Sequence, residues 1–371
     1  MRIKGLDGVR GLGAVMVVAH HTLGLFTNQQ IPNGSGAVGI FDGLFTNGDM
    51  AVVIFFVLSG FVLTYALDTG DDPRLVPFLL KRAVRLYIPY ICAILGALGL
   101  IAVLDTLLSH IGPHPKFDFP AKSWSYLSLL AMIGLPGDAA VDGPVWSICI
   151  EMHAVILMPI LVRASKMQLA VIAVALSVIG GAASWHYFHG MGVGLRHPTG
   201  LRTRIAASLF FFQFFAYGAL IYRLRDSLRT MITRQGVAAW AILAPAALLG
   251  VFGFIFSQQQ ISYCLYALPA CSIIPACIAS PTADRLLSAP VFSFLGRISF
   301  SLYLVHMPIL LFGTTLLANR FGLPMATAIS LAMAFAVAYL FNRFVERPSG
   351  NLSHRISRRP TIDFSERTQP R

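Results

Sequence analysis

The 371-residue chain is 56% hydrophobic and only 12% charged, with a mean hydropathy of +0.71. A soluble protein of this size needs far more charge to cover its surface, so a soluble fold is excluded. The net charge of +12 comes from basic residues dispersed between apolar runs, which fits membrane topology and argues against a nucleic-acid partner.

Apolar runs of about 18 or more residues recur from end to end, the pattern of spanning helices. Ten spans are predicted, at 8–27, 49–67, 86–107, 146–163, 168–187, 205–222, 236–257, 261–280, 297–318 and 324–345. The expected fold is therefore an all-α polytopic integral membrane protein of about ten transmembrane helices. The stretch 126–137 is too short to span and ends in Pro-Gly, so it reads as an interfacial or re-entrant piece. With both termini cytoplasmic, 22 of the 28 Lys and Arg residues fall on the inside. The other six, Lys116, Lys122, Arg196, Arg202, Arg204 and Arg320, fall outside, so the positive-inside rule selects that orientation. Residues 1–350 form the membrane domain, and 351–371 read as a basic, disordered cytoplasmic tail. No cleavable signal peptide is expected, because Asp7 and Arg10 interrupt the place where an apolar core would begin.

The first span begins "LDGVRGLGAVMVVAHH", with Arg10 at its cytoplasmic mouth and His21 eleven residues further in. Eleven helical steps return to within about 20° of the starting direction, so Arg10 and His21 share a face with Asp7, Ala14 and Val17. His21 lies about 16 Å deeper than Arg10. His20 points elsewhere and reads as a bystander.

The second span carries Asp49 at its outer mouth. Before the third, in "KRAVRLYIPY", Arg82 and Arg85 face one way at the level of Arg10. They read either as positive-inside anchors or as a cluster that grips phosphates. In "GPVWSICIEM" the fourth span enters from outside, and counting from Trp146 puts Glu151 about 8 Å down. That is near the level of His21, so Glu151 reads either as its orienting partner or as a structural hydrogen-bonding group. In "LGRISFSLYLVHMP", His306 is about 15 Å into the ninth span, as a core residue or part of a site. Glu346 closes the tenth span and is expected to pair with a nearby Arg. The five cysteines, Cys92, Cys149, Cys264, Cys271 and Cys277, form no CxxC pair. They read as buried small hydrophobes, with no disulfide framework and no metal site.

These segments, with "GDMAVVIFFVLSGFVLTYAL" and "VERPSG", occur in the order seen in the membrane acyltransferase-3 family, which the chain resembles over about residues 5–350. The spacing of Arg10 and His21 is the most specific feature of the resemblance. The Lys81-Arg82 pair departs from the Arg-Arg of many relatives, and about 165–290 matches only in hydrophobicity. The resemblance implies a multi-pass protein of the bacterial inner membrane that moves an acyl group, usually acetyl, from cytoplasmic acyl-CoA to a hydroxyl of a surface or lipid-linked carbohydrate. Some relatives act on small molecules such as macrolides; others carry a further C-terminal hydrolase-like domain, which is not expected here. No bound cofactor is implied: acyl-CoA is a donor substrate, and the partners are the acceptor and the bilayer. His21 would be the general base and Glu151 its catalytic assistant. Arg10, Arg82 and Arg85 would hold the donor, while Asp49 and Trp146 would face the acceptor. His306 would belong to the substrate-binding set as a support for the site. The rival reading is a proton-coupled transporter or lipid flippase, since intramembrane ionisable groups suit both.

Overall fold

In the computed structural model, the described residues are 3–26, 43, 47–69, 75–108, 143–189, 194–196, 200–256 and 258–356. The stretch 126–137 and the tail from 357 lie outside them. Helices account for nearly all described residues, and no strand occurs among them. The order is α1 (Lys4–Phe26), α2 (Gly48–Asp68), α3 (Leu75–Leu108), α4 (Val145–Arg163), α5 (Lys166–Phe188) and α6 (Leu201–Gln235). Then come α7 (Val237–Val251), α8 (Gln259–Ala279), the short α9 (Pro281–Leu287), α10 (Pro290–Phe321), α11 (Leu323–Phe341) and α12 (Arg347–Arg355). A 3₁₀ turn, Phe252–Ile255, extends α7, and a π-turn, Asn342–Glu346, joins α11 to α12.

Eight helical segments are long and apolar enough to cross a membrane, so the chain is a multi-pass membrane protein. The two other predicted spans are also helical. Helix α7 is only 15 residues long, and α1 carries Lys4, Asp7 and Arg10 toward its start. Several helices outrun their predicted spans. The third span was expected to start at 86, yet α3 starts at Leu75, so Arg82 and Arg85 sit on the helix rather than ahead of it. The expected irregular tail is likewise helical through Arg355, because α12 packs against α3 and buries Ser349 and Ser353.

Helices α2 and α6 form the centre, with 72% and 78% of their most apolar windows buried, whereas α5 is peripheral at 22%. Between membrane helices, close approach comes from small residues rather than from exclusion of water. A Cβ added at Gly218 of α6 would lie 1.9 Å from the Val57 carbonyl of α2, so these backbones touch. The same device sets α1 against α9 and α10. A Cβ at Gly8 would lie 1.9 Å from the Leu287 carbonyl, and one at Gly296 would lie 2.0 Å from the Asp7 carbonyl. Gly5 N–H also donates to Asp284 Oδ1 at 2.7 Å. The contact between α1 and α10 is what positions the site.

Cys149 and Cys277 are buried as expected, but Cys92 and Cys264 are exposed on the outside of the bundle, where lipid accepts a small apolar side chain as readily as the core does.

Candidate functional site

Two regions of unlike chemistry lie along the α1–α10 seam. The first is a cavity of about 420 Å³ at the end of the bundle where α1, α3 and α10 begin. Its walls carry five cationic side chains, Lys4, Arg10, Arg82, Arg85 and Arg297, and three carboxylates, Asp7, Glu151 and Glu346. The surplus is positive, as an anion site needs. Arg82 lies within electrostatic reach of Arg85, Glu151 and Arg10. Arg85 is in similar reach of Arg10, Glu346, Glu151 and Asp7. The three predicted arginines therefore share one cavity. Glu346 accepts hydrogen bonds from Ser301 Oγ (2.5 Å) and Asn342 Nδ2 (2.8 Å), and Asn342 Nδ2 also donates to the Arg297 carbonyl at 2.9 Å. The π-turn thus braces the start of α10 at the cavity rim, a common place for such a turn.

A smaller void of about 50 Å³ shares Arg10, Ser59, Glu151, Ser299 and Phe300 with the cavity and leads on to Ser147 and Tyr303. Tyr303 Oη lies 2.6 Å from Ser147 Oγ, and both hydroxyls bond the Pro144 carbonyl, at 3.0 and 3.1 Å. One helical turn beyond Tyr303 is His306, with ring centroids 6.1 Å apart.

The second region is the meeting of His306 with His21. His306 is 0% exposed. Its Nε2 lies 3.1 Å from His21 Nδ1, and the ring centroids are 5.1 Å apart. The stripe predicted on α1 therefore faces α10 along its length: Asp7 and Arg10 line the cavity, and His21 meets His306. His20 instead packs against the start of α2, where a Cβ on Gly48 would lie 3.0 Å from its ring.

Glu151 is placed differently from the depth estimate. Its Oε1 accepts from Ser59 Oγ at 3.1 Å in the wall of the basic cavity, while His21 Nδ1 faces His306. The reason lies at Trp146, from which depth was counted as though it marked the membrane surface. Trp146 is 7% exposed and packs against Phe56 and Phe211, with centroids 6.2 and 5.1 Å away. Counting from a buried Trp puts everything after it too shallow. The same burial removes Trp146 as a platform for a sugar face; it is a packing residue. Asp49 lies at the opposite end from the basic cavity, in an ion pair with Arg196 at 3.1 Å, their side chains 28% and 32% exposed. Asp49 raises the Arg196 guanidinium above its usual range and keeps it charged. Arg196 was counted from sequence only as one of six outer cations. Arg297 and Tyr303 stand in a quoted motif, where their helical setting could have flagged them, and Ser59 is a hydroxyl inside an apolar span. Among the described residues no cluster of ligating side chains suits a metal ion.

Comparison with known proteins gives a consistent relationship. Residues 3–343 match the family model described as an acyltransferase domain, Acyl_transf_3. The chain is 26% identical over 400 aligned positions to the acyltransferase MdmB of Streptomyces mycarofaciens, spanning all of this chain and 94% of that protein. It is 24% identical over 379 positions to the putative peptidoglycan O-acetyltransferase YrhL of Bacillus subtilis strain 168, spanning 93% of this chain and 54% of the longer relative. No solved structure matches.

Proposed function

The chain belongs to the Acyl_transf_3 acyltransferase family, and on that premise we propose that it is an acyl-CoA-dependent O-acyltransferase of the bacterial inner membrane, acting on a hydroxyl of a cell-surface or lipid-linked carbohydrate. One observation carries the reading: a basic cavity and a histidine pair lie on the same α1 face, about three turns apart. The distribution of Lys and Arg directs the cavity to the cytoplasm, where acyl-CoA is found. Arg10, Arg82 and Arg85 hold the donor phosphates through charge-assisted hydrogen bonds, and Arg297 adds a fourth guanidinium. Glu151 and Glu346 offset part of that charge, so the cavity does not hold five unbalanced cations. The pantetheine arm runs through the narrow void past Tyr303 toward His21.

The acceptor arrives from the opposite end, past the Asp49–Arg196 pair. His21 takes the proton of the acceptor hydroxyl as its oxygen attacks the thioester carbonyl. Collapse of the tetrahedral intermediate expels the CoA thiolate, which receives that proton from His21. The ester and free CoA are the products. The YrhL name supports O-acetylation of peptidoglycan as one precedent for the acceptor class.

Purified protein incubated with labelled acetyl-CoA and extracted cell-envelope glycans tests the proposal. Label on glycan with stoichiometric CoA release is expected. Gradient-driven solute uptake in proteoliposomes, with no use of acetyl-CoA, would instead return the transporter reading.

A further inference from the structure

His306 donates from Nδ1 to two backbone carbonyls of its own helix, Leu302 and Tyr303, each at 2.9 Å. A carbonyl can only accept, so the His306 proton is on Nδ1. The Nε2 of a neutral His306 is then a lone pair, and it faces His21 Nδ1 at 3.1 Å. Two lone pairs at that distance repel. A proton on His21 Nδ1 turns the contact into a hydrogen bond and leaves the lone pair of His21 on Nε2. Making His306 cationic would satisfy the same contact only by placing an unpaired charge in a fully buried site, the costlier arrangement.

From this geometry we propose that His306 is the positioning residue that fixes His21 as its Nδ1-protonated tautomer and so presents Nε2 as the basic nitrogen, an inference that rests on the reading of His21 as general base. The backbone of α10 fixes His306, and His306 fixes His21 together with the Val17 carbonyl of α1, to which His21 also hydrogen-bonds. The hydroxyl proton arrives at His21 Nε2 during attack and leaves from it to the departing thiolate, while Nδ1–H stays bonded to His306 throughout. The arrangement does what a carboxylate does behind a histidine base: it sets tautomer and ring orientation and accepts a stronger hydrogen bond from the imidazolium that forms. It does so without a fixed negative charge inside the membrane. Asp284 of α9 and Glu346 beside the start of α10 are engaged instead with Gly5 and with Ser301 and Asn342.

The test combines a spectroscopic signature with two substitutions of unequal reach. Protein labelled with ¹⁵N-histidine is placed in lipid nanodiscs, and the His21 resonances are assigned by their loss in His21→Ala. The wild-type spectrum should show His21 protonated at Nδ1 and bare at Nε2. His306→Gln can return an amide oxygen to the place of Nε2 and should keep transfer within about tenfold of wild type. His306→Asn reaches only the place of Nδ1 and should lose about 10²- to 10⁴-fold in transfer, the range set by loss of an oriented base. Acetyl-CoA should still bind His306→Asn within threefold, showing that it is folded. A wild-type His21 protonated at Nε2 overturns the inference, as does equal transfer by the Asn and Gln variants. An active His21→Ala enzyme alongside the expected wild-type tautomer would remove the base assignment and still support the tautomer.

Discussion

The basic cavity and the histidine pair are built on the same two helices and follow opposite electrostatic rules. The cavity, about 420 Å³, mixes five cations with three carboxylates and is open enough to receive a charged molecule. The pair joins a buried His306 to a half-buried His21, holds no carboxylate among the described residues, and satisfies the His306 donor with backbone carbonyls. The void that continues from the cavity to Tyr303 is far smaller, about 50 Å³. In the proposed function, binding energy and chemistry are thereby separated along one helix face, with charge handled at the mouth and proton transfer at depth.

Five substitutions sharpen or break this division. The largest effect is expected at His21: His21→Ala should lose about 10²- to 10⁴-fold in transfer, measured with labelled acetyl-CoA, while His20→Ala should stay near wild type. An inactive but folded His20→Ala protein would mean that the wrong face of α1 has been assigned. Next, Arg85→Ala removes a charge-assisted contact of about 1.5–3 kcal/mol, which weakens acetyl-CoA binding by about 10- to 100-fold. Equilibrium binding checks it, and unchanged affinity would remove Arg85 from the donor site. Gly8→Ala tests the seam itself, because its new Cβ meets the Leu287 carbonyl, a backbone atom that cannot turn aside. A cost of about 1–3 kcal/mol is expected in thermal unfolding, with a fall in transfer as α1 moves off α10. Wild-type stability and activity would contradict the contact. The smallest effect is expected for Asp49→Asn. A partly exposed ion pair contributes about 0–1 kcal/mol, so the acceptor KM should rise by at most about fivefold, with donor affinity unchanged. A change in donor affinity would place Asp49 on the wrong side of the division.

Much of the fold was legible because lipid makes a simple demand: spanning segments must be helical and apolar. The Arg10–His21 stripe was also legible, since eleven residues return a helix to the same face. The cationic level of Arg82 and Arg85 followed from their place before an apolar run, although the helix itself begins earlier. The His21–His306 contact was not legible. Its members are 285 positions apart, and it depends on α1 packing against α9 and α10 through Gly8 and Gly296, residues that permit an approach without naming a partner. Glu151 was misplaced in depth because Trp146 resembles an interfacial residue in sequence and is a core residue in space. Arg196 was legible as a cation but not as the partner of Asp49, because the loop that carries it has no periodicity to read.

The central claim is that donor binding and proton transfer are separate duties of one helix face, and the affinity of His21→Ala for acetyl-CoA tests it most directly. Titrating labelled acetyl-CoA onto the purified variant should give a Kd within about threefold of wild type, with transfer to envelope glycans lost; threefold is under 1 kcal/mol of binding. A Kd weakened to the level of Arg85→Ala, or a Kd and transfer rate both like wild type, would contradict the division of labour between the cavity and the histidine pair.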